Sequence, residues 1–433
     1  MMVRRRLRLF ATTAVLGATV VVAGCGAPQA PASDLRDFTG GYDGPPVTLD
    51  FWNGFTGGDG PYIRQMIEDF EKENPDIDIR ATTQEWGDLY QKLPAASFAG
   101  AGPDVAVIHV EQIGTMVVRN VIEPLDDLAS ALDLDAEDFS EQVWKAGEYD
   151  GARYGIPLDV HSLAMYYNTE HFEKAGITEP PTDAASFQDA LERLQDAGYE
   201  TPFWMPSLWP AHLIDLSLLW QAGGEPYSED GGEATWNSEE GVAGLEWMRS
   251  MVDDGYSPDS VAIDAQYVAF KNGETSITWD GIWQINDLKD SGLPFAAAPL
   301  PAVAGEPAVW ANSHQFVLGR HALTDADKND AAKVFIAWMS ENSAEWAGAG
   351  MIPARASVRA ETMPGSVQEP IAEGIDALRF LPSIPGVGAI QADTLEIAVA
   401  SAMLGNAPPG EVLDTEAARA DAQLQANLER FGE

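Results

Sequence analysis

Tryptophan is the residue type that points to chemistry. The chain holds 13 Trp against 11 Tyr. Trp144, Trp220, Trp247, Trp338 and Trp346 fall in stretches of helical periodicity, where they read as core. The other eight, Trp52, Trp86, Trp204, Trp209, Trp236, Trp279, Trp283 and Trp310, fall at strand ends or in loops. An indole offers a flat apolar face and one N–H that wants a partner. A sugar ring has a flat C–H face and a rim of hydroxyls. Indoles interleaved with Asp, Asn, Glu and His therefore suit a saccharide. The ring stacks, the polar groups bond the hydroxyls, and ionised carboxylates make the stronger bonds. The structural alternative is that loop tryptophans plug the edges of cores.

Motifs for catalysis are absent. No Gly-Lys dipeptide occurs, so there is no Walker A loop, and no His is followed by Glu, so there is no zinc-protease helix. No Ser has Gly at both −2 and +2, and no GxGxxG occurs. The histidines, at 109, 161, 171, 212, 314 and 321, stand singly without metal-ligand spacing. Neither a metal nor a cofactor is expected. With 68 acids, a carboxylate pair for glycoside hydrolysis stays open, because only separation in space identifies one. The balance of 25 Lys+Arg against 68 Asp+Glu gives a net charge of −43. Phosphate recognition needs clustered cations, so nucleic acid is excluded as a partner. Anionic solutes are disfavoured by the global field.

Periodicity places these residues on elements. Val47–Trp52 reads as a strand, and Pro61 opens a helix with Ile63, Met66, Ile67 and Phe70 on one face. Ile77–Ala81 and Asp104–Ile108 are the next strands, separated by a helix that ends near Gly100. The alternation predicts an α/β layer with a largely parallel sheet. Further strands are predicted at Leu163–Tyr167, Thr275–Trp279, Phe295–Ala298 and Gln315–Leu318. Helices are predicted around Phe187–Leu194, Val242–Val252 and Ala331–Trp338, with a last amphipathic one over Thr415–Leu428. A hydrophobic share of 45% and 433 residues suit two globular domains.

The N-terminus reads as an export signal. Arg4, Arg5, Arg6 and Arg8 precede an apolar stretch, Leu9–Gly24, that is short for a membrane span. It ends Val22-Ala23-Gly24-Cys25, and Cys25 is the only cysteine. This resembles a bacterial lipobox, with cleavage before Cys25 and lipidation of its thiol; a plain signal peptide is the alternative. Three consecutive Arg leave Sec and Tat export undivided. Loss of the four signal arginines takes the charge from −43 to −47. Residues 25–46 read as the lipidated Cys and a flexible tether rich in Gly and Pro. Such acidity implies self-repulsion that salt relieves, and hence saline surroundings.

The order of segments resembles the extracellular solute-binding proteins of ABC importers, in the sugar-binding group that includes maltose- and trehalose-binding proteins. Phe51-Trp-Asn-Gly-Phe-Thr-Gly-Gly-Asp59 is similar to that family's first strand and loop. Glu71-Lys-Glu-Asn-Pro-Asp-Ile77 and Gly102-Pro-Asp-Val105 resemble its next landmarks. Tyr154-Gly-Ile-Pro157 followed by Met165-Tyr-Tyr-Asn168 resembles its first lobe crossing, and Gly350-Met-Ile-Pro-Ala-Arg355 its third. Thr278-Trp-Asp-Gly-Ile-Trp283 resembles its G-x-W element, although the family often has Gly-Pro-Trp there.

The resemblance implies an α/β fold of the two-lobed periplasmic-binding-protein type (type II, maltose-binding-like), with a hinge between lobes. Lobe one would span 47–158 plus 311–343, and lobe two 159–310 plus 344–433, after a signal peptide over 1–24. The implied function is capture of a neutral di- or oligosaccharide in the inter-lobe cleft. The monomeric protein, anchored through Cys25 to the outer face of the cytoplasmic membrane, would deliver it to the permease subunits of the importer. It would not be an enzyme. A non-sugar solute such as a polyol or osmolyte is the alternative within the fold, and a secreted glycosidase the alternative outside it.

Candidate ligand residues follow the strand ends, where open α/β sheets bind. Asn53, Phe55, Thr56 and Asp59 follow strand one, with simple turn chemistry at Gly57-Gly58 as the alternative. Glu85 and Trp86 follow the second strand. His109 and Glu111 end the third, where Glu111 could instead cap. Asp159 and His161 lie on the first crossing, and Trp204 and Trp209 in a Pro-interrupted loop. Trp279, Asp280 and Trp283 form the strongest set; Trp310, Asn312 and His314 lie on the second crossing. Arg355 lies on the third, with an inter-lobe ion pair as the alternative.

Overall fold

A computed structural model describes residues 38–131, 134 and 136–431. Residues 1–24, expected to be a signal peptide, and Cys25, the expected lipidation site, lie outside the described residues.

Strands β1 (Val47–Asn53), β2 (Ile77–Thr83) and β3 (Val105–His109) form as the sequence pattern predicts, and β1 pairs in parallel with both others. Leu49, Phe51 and Asn53 of β1 point inward at every second position. The helix Gly60–Glu73 buries Ile63, Met66, Ile67 and Phe70, the face set by their spacing. Then come β4 (Ile122–Glu123), a small hairpin of β5 (Glu148–Tyr149) and β6 (Ala152–Arg153), and β7 (Gly155–Pro157). The long β8 (Asp159–Asn168) is followed by β9 (Ile277–Gly281), β10 (Phe295–Ala298), β11 (Val309–Asn312), β12 (His314–Gly319), β13 (Ile352–Pro353) and β14 (Leu378–Arg379).

Two six-stranded sheets result. One has the order β2-β1-β3-β12-β4, with β7 also on β12; the other has β10-β8-β11-β14, with β9 and β13 also on β8. The expectation of a largely parallel sheet holds for β1 with β2 and β3, and for the short pair β11 with β14. Strand β12 is antiparallel to β3, and β8 is antiparallel to β9, β10, β11 and β13. The reason is connectivity. Short crossings such as Ser313 carry the chain from sheet to sheet, so returning strands enter against the first ones instead of through a βαβ crossover.

One apolar core gathers Leu163, Phe187, Phe203, Trp236, Leu245 and Trp279. Another gathers Leu49, Phe51, Phe70, Phe316 and Phe335 and runs through Trp346 and Ile352 to Tyr166 and Ile282. Apolar packing therefore continues across the junction of the sheets. The helix Ala211–Gln221 is buried along its whole length. Buried on every face, with His212, Asp215, Ser217 and Gln221 among its apolar residues, it carries no amphipathic period for a sequence reading to find. Among the described residues, no helix is long and apolar enough to cross a membrane.

Candidate ligand site

The two crossings between the sheets, β7 to β8 and β11 to β12, bring the polar candidates together. His314 lies directly opposite His109 in the β12–β3 pair, and Asn312 lies opposite His161 in the β11–β8 pair. Directly opposed residues have Cβ atoms about 4.5–5.5 Å apart. Asp159 stands two residues before His161, hence on the same face of β8. Three histidines far apart in sequence become one cluster. Ring centroids are 4.4 Å apart for His161 and His314, 4.9 Å for His109 and His314, and 5.4 Å for His109 and His161.

Asp159 organises this cluster from beneath. Its Oδ1 accepts the backbone N–H of His314 at 3.0 Å and lies 3.2 Å from Nδ1 of His161. Its Oδ2 accepts the indole N–H of Trp346 at 2.6 Å and lies 2.6 Å from Nδ1 of His314. Burial opposes its ionisation, but His314 and His161 outweigh burial and hold the carboxyl well below the usual range. Burial, then the neighbouring His314, pushes the pKa of His109 and His161 down. Nδ1 of His109 meets the hydroxyl of Tyr90 at 2.5 Å.

Aromatic rings wall the cluster from both sides. Trp86, the first residue of the helix after β2, packs 4.4 Å from His109 and stacks on His314 at 5.2 Å and 17°. Phe55 meets Trp86, His314 and Trp346 edge-on. A Cβ on Gly54 would come within 2.1 Å of the Trp86 indole, so glycine is what lets that ring lie there. From the second sheet, Trp283 meets His161 at 6.1 Å and Trp310 at 6.3 Å, and Trp310 meets His161 at 6.3 Å. Gly281 admits the Trp283 indole in the same way, with a Cβ distance of 2.1 Å.

Polar groups line the same space. Glu111 accepts from Nδ2 of Asn312 at 2.8 Å, and burial raises its pKa. Asn312 also accepts the Val110 N–H at 3.2 Å, tying the two sheets together. Oδ1 of Asn53 accepts from Phe55 N–H and the Thr83 hydroxyl, while its buried Nδ2 has no partner among the described residues. Burial raises the pKa of Asp59, against a lowering field from His314. Beside this cluster, a cavity of about 390 Å³ is lined by Val110, Lys145, Glu148, Arg379, Phe380 and Ser383, among others. Its size falls in the range of small-molecule sites, about 300–1,000 Å³. None of these linings carried a sequence motif.

Several expected residues sit elsewhere. Trp279 is a correction. It is fully buried in the core, 5.3 Å from Phe187, 5.1 Å from Phe203 and stacked on Trp247 at 5.5 Å. Successive residues of β9 face opposite sides, so Trp279 and Asp280 cannot share a surface. Asp280 is buried on the other face, bonded by Gln266 and pushed up to about 6 by burial. Arg355 pairs with Asp138 at 3.3 Å and lies over Phe139, the ion-pair alternative. Trp204 is half-buried with its N–H on Thr201, and exposed Trp209 packs on His212. Thr56 and Glu85 are exposed. Conversely Trp346, read as core from its helical setting, is buried against the cluster as a partner of Asp159.

The profile of the bacterial extracellular solute-binding protein family matches residues 65–372. The chain belongs to that family. A binding protein of Brucella abortus (strain 2308) is 27% identical over 381 residues, covering 84% of this chain and 90% of its own. The maltotriose-binding protein of Pyrococcus abyssi (strain GE5 / Orsay) is 26% identical over 282 residues, 65% of this chain and 59% of its own. Among solved structures, the sugar-binding protein MalE from Xanthomonas citri superposes with a TM-score of 0.78 at 19% identity, over 89% of this chain and 100% of that one. The two-lobed α/β fold implied by the sequence resemblance is the fold of this solute-binding protein.

Proposed function

We propose that this solute-binding protein captures a neutral saccharide of two or more units between its lobes for an ABC importer. The observation that supports the reading is the cluster of rings and buried polar groups at the junction of the two sheets. Trp86 and Phe55 from one side and Trp283 and Trp310 from the other flank buried Asn53, Glu111, Asp159, His161 and Asn312. Flat rings beside paired donors and acceptors match the faces and rim of a sugar. The maltotriose-binding relative supports the same class. Ligand contact with both lobes would favour the closed arrangement, a hinge motion of known type.

The proposal includes the lobe boundaries 47–158 with 311–343 and 159–310 with 344–433. The break between β7 and β8 at Leu158 supports the first of them, whereas β11 runs through 310/311 in the second sheet and the chain passes to the first sheet only at Ser313. It also includes a monomer anchored through lipidated Cys25, delivery to membrane permease subunits and no turnover of the solute. Calorimetric titration against a panel of oligosaccharides tests the reading, with product analysis of the same samples. One sugar bound per chain and recovered intact is the expected result. Hydrolysis abolished by a single Asp or Glu substitution would transfer the protein to the glycosidases. Binding of polyols or osmolytes alone would keep the fold's role and change the solute.

A further inference from the structure

The three clustered histidines offer more than solute capture requires. We propose that His109, His161 and His314 bind one divalent transition-metal ion of the zinc class, through one nitrogen of each ring. One ligand nitrogen from each lies within 4.8 Å of the others. A tetrahedral ion with bonds of about 2.0–2.1 Å holds its nitrogens roughly 3.3 Å apart. Binding would draw the three nitrogens together by up to about 1.5 Å.

The second layer of partners is already in place. Nδ1 of His109 meets the Tyr90 hydroxyl, Nδ1 of His161 meets Oδ1 of Asp159, and Nδ1 of His314 meets Oδ2 of Asp159. Nε2 is the nitrogen left on each ring for an ion. Histidine ligands are commonly backed in this way: a carboxylate or other acceptor on the far nitrogen fixes the tautomer and orientation and raises basicity. Here one carboxylate serves two rings.

Asp159 gives an independent reason. It is a fully buried carboxyl group, and among the described residues its salt-bridge partners are the two histidines, with no Lys or Arg. A buried charge needs an opposite one nearby. An ion held by the three imidazoles supplies it, and Glu111 lies close by, bonded to the Asn312 that stands opposite His161. An all-imidazole set disfavours Ca²⁺ and Mg²⁺, which take oxygen, and suits Zn²⁺, Ni²⁺ or Cu²⁺. Three protein ligands leave a fourth position for water or a solute oxygen. His109 and His314 come from the first sheet and His161 from the second, so the ion would clasp the crossing between lobes. The inference rests on the cluster's geometry and not on the identity of the solute.

The test uses the chain without its signal peptide, stripped with EDTA. Zn²⁺ is titrated by calorimetry and Co²⁺ by visible absorption. One ion per chain, the d–d bands of tetrahedral Co²⁺ and a raised melting temperature are expected. His109→Ala and His161→Ala should each weaken binding at least tenfold. Asp159→Asn should weaken it by about 10–100-fold, as for other backing residues. If an alanine variant melts early, His109→Gln supplies a milder change, and the cobalt spectrum of the parent protein tests the ligand set without any substitution. Absence of binding overturns the proposal. So does weak binding of several ions with an octahedral cobalt spectrum, insensitive to both histidine substitutions, which would be capture by surface carboxylates only. Oligosaccharide titration of the stripped protein separates the two readings. Sugar binding without metal binding sinks only the metal site, and metal binding without sugar binding sinks only the saccharide.

Discussion

Replacing Asp159 by Asn exchanges one oxygen for an NH2 group and should cost far more than its size suggests. Each carboxylate oxygen meets two donors: the His314 backbone N–H and His161 Nδ1 at Oδ1, and the Trp346 N–H and His314 Nδ1 at Oδ2. An asparagine keeps one acceptor oxygen and sets its NH2 against the other pair. A histidine ring can change tautomer and accept from that NH2. An indole or backbone N–H cannot. Either orientation of the amide therefore leaves one buried donor facing a donor, at a cost of about 1–3 kcal/mol. The surviving bonds lose their charge assistance, which was worth roughly twice a neutral bond. Removal of a desolvated charge offsets part of this, for a net loss of about 2–4 kcal/mol. Asp159→Ala, which removes the acceptor from all four donors, should cost about 3–5 kcal/mol. Thermal and urea unfolding at neutral pH measure both. A carboxyl held below its ordinary value contributes above its unfolded pKa of about 4, and loses that contribution only as pH falls through the folded one. The gap between parent and variant should thus persist from neutral pH down to about 5. An Asp159→Asn protein that unfolds with the parent would refute the convergence of four donors on this carboxylate.

Other expectations rest on separate features. Trp283→Ala should weaken saccharide binding at least tenfold, on the order of 1.4 kcal/mol; an unchanged dissociation constant in a folded variant removes Trp283 from the cleft. Gly54→Ala drives a Cβ into the Trp86 indole. It should cost about 1–3 kcal/mol in stability and lower affinity, whereas wild-type melting and binding would show that the indole moves freely. Asp215 is buried with both carboxylate oxygens unpartnered among the described residues, and burial pushes its pKa up to about 8. Its folded value lies above the unfolded one, so its contribution is full below about pH 4 and is lost toward pH 8, at about 1.4 kcal/mol per unit. Asp215→Asn should therefore gain on the parent as pH rises from 5 to 8; a gap that stays flat contradicts a buried neutral carboxyl. With a net charge of −43, the melting temperature should climb with NaCl toward 1 M, where screening acts over about 3 Å. A decline would argue against relief of self-repulsion.

The sequence made the edge of the site legible and left its centre hidden. Strand β1 could be read because Leu49, Phe51 and Asn53 alternate with outward residues, and the first long helix because Ile63, Met66, Ile67 and Phe70 share a face. Asn53, Trp86, His109, Asp159 and His314 could be nominated because they end strands or sit on crossings. Their meeting could not. The pairing of His314 with His109 depends on a strand that runs backward into the first sheet. That antiparallel entry is what an alternation of strands and helices does not encode. Trp279 misled because a local motif, Trp-Asp-Gly-Ile-Trp, was taken as one surface although a strand turns its neighbours to opposite faces. Trp346 misled in the other direction: a fully buried indole read as packing alone, while its N–H serves Asp159.

The central claim is that a saccharide lies between the lobes against the indoles of Trp86 and Trp283. A crystal structure of the protein grown with the tightest-binding oligosaccharide tests it most directly. Sugar density between those two rings, with hydroxyls on Asn53, Glu111 or Asn312, is the expected result. Density confined to the outer surface, or an enclosed solute without a sugar ring, would contradict it.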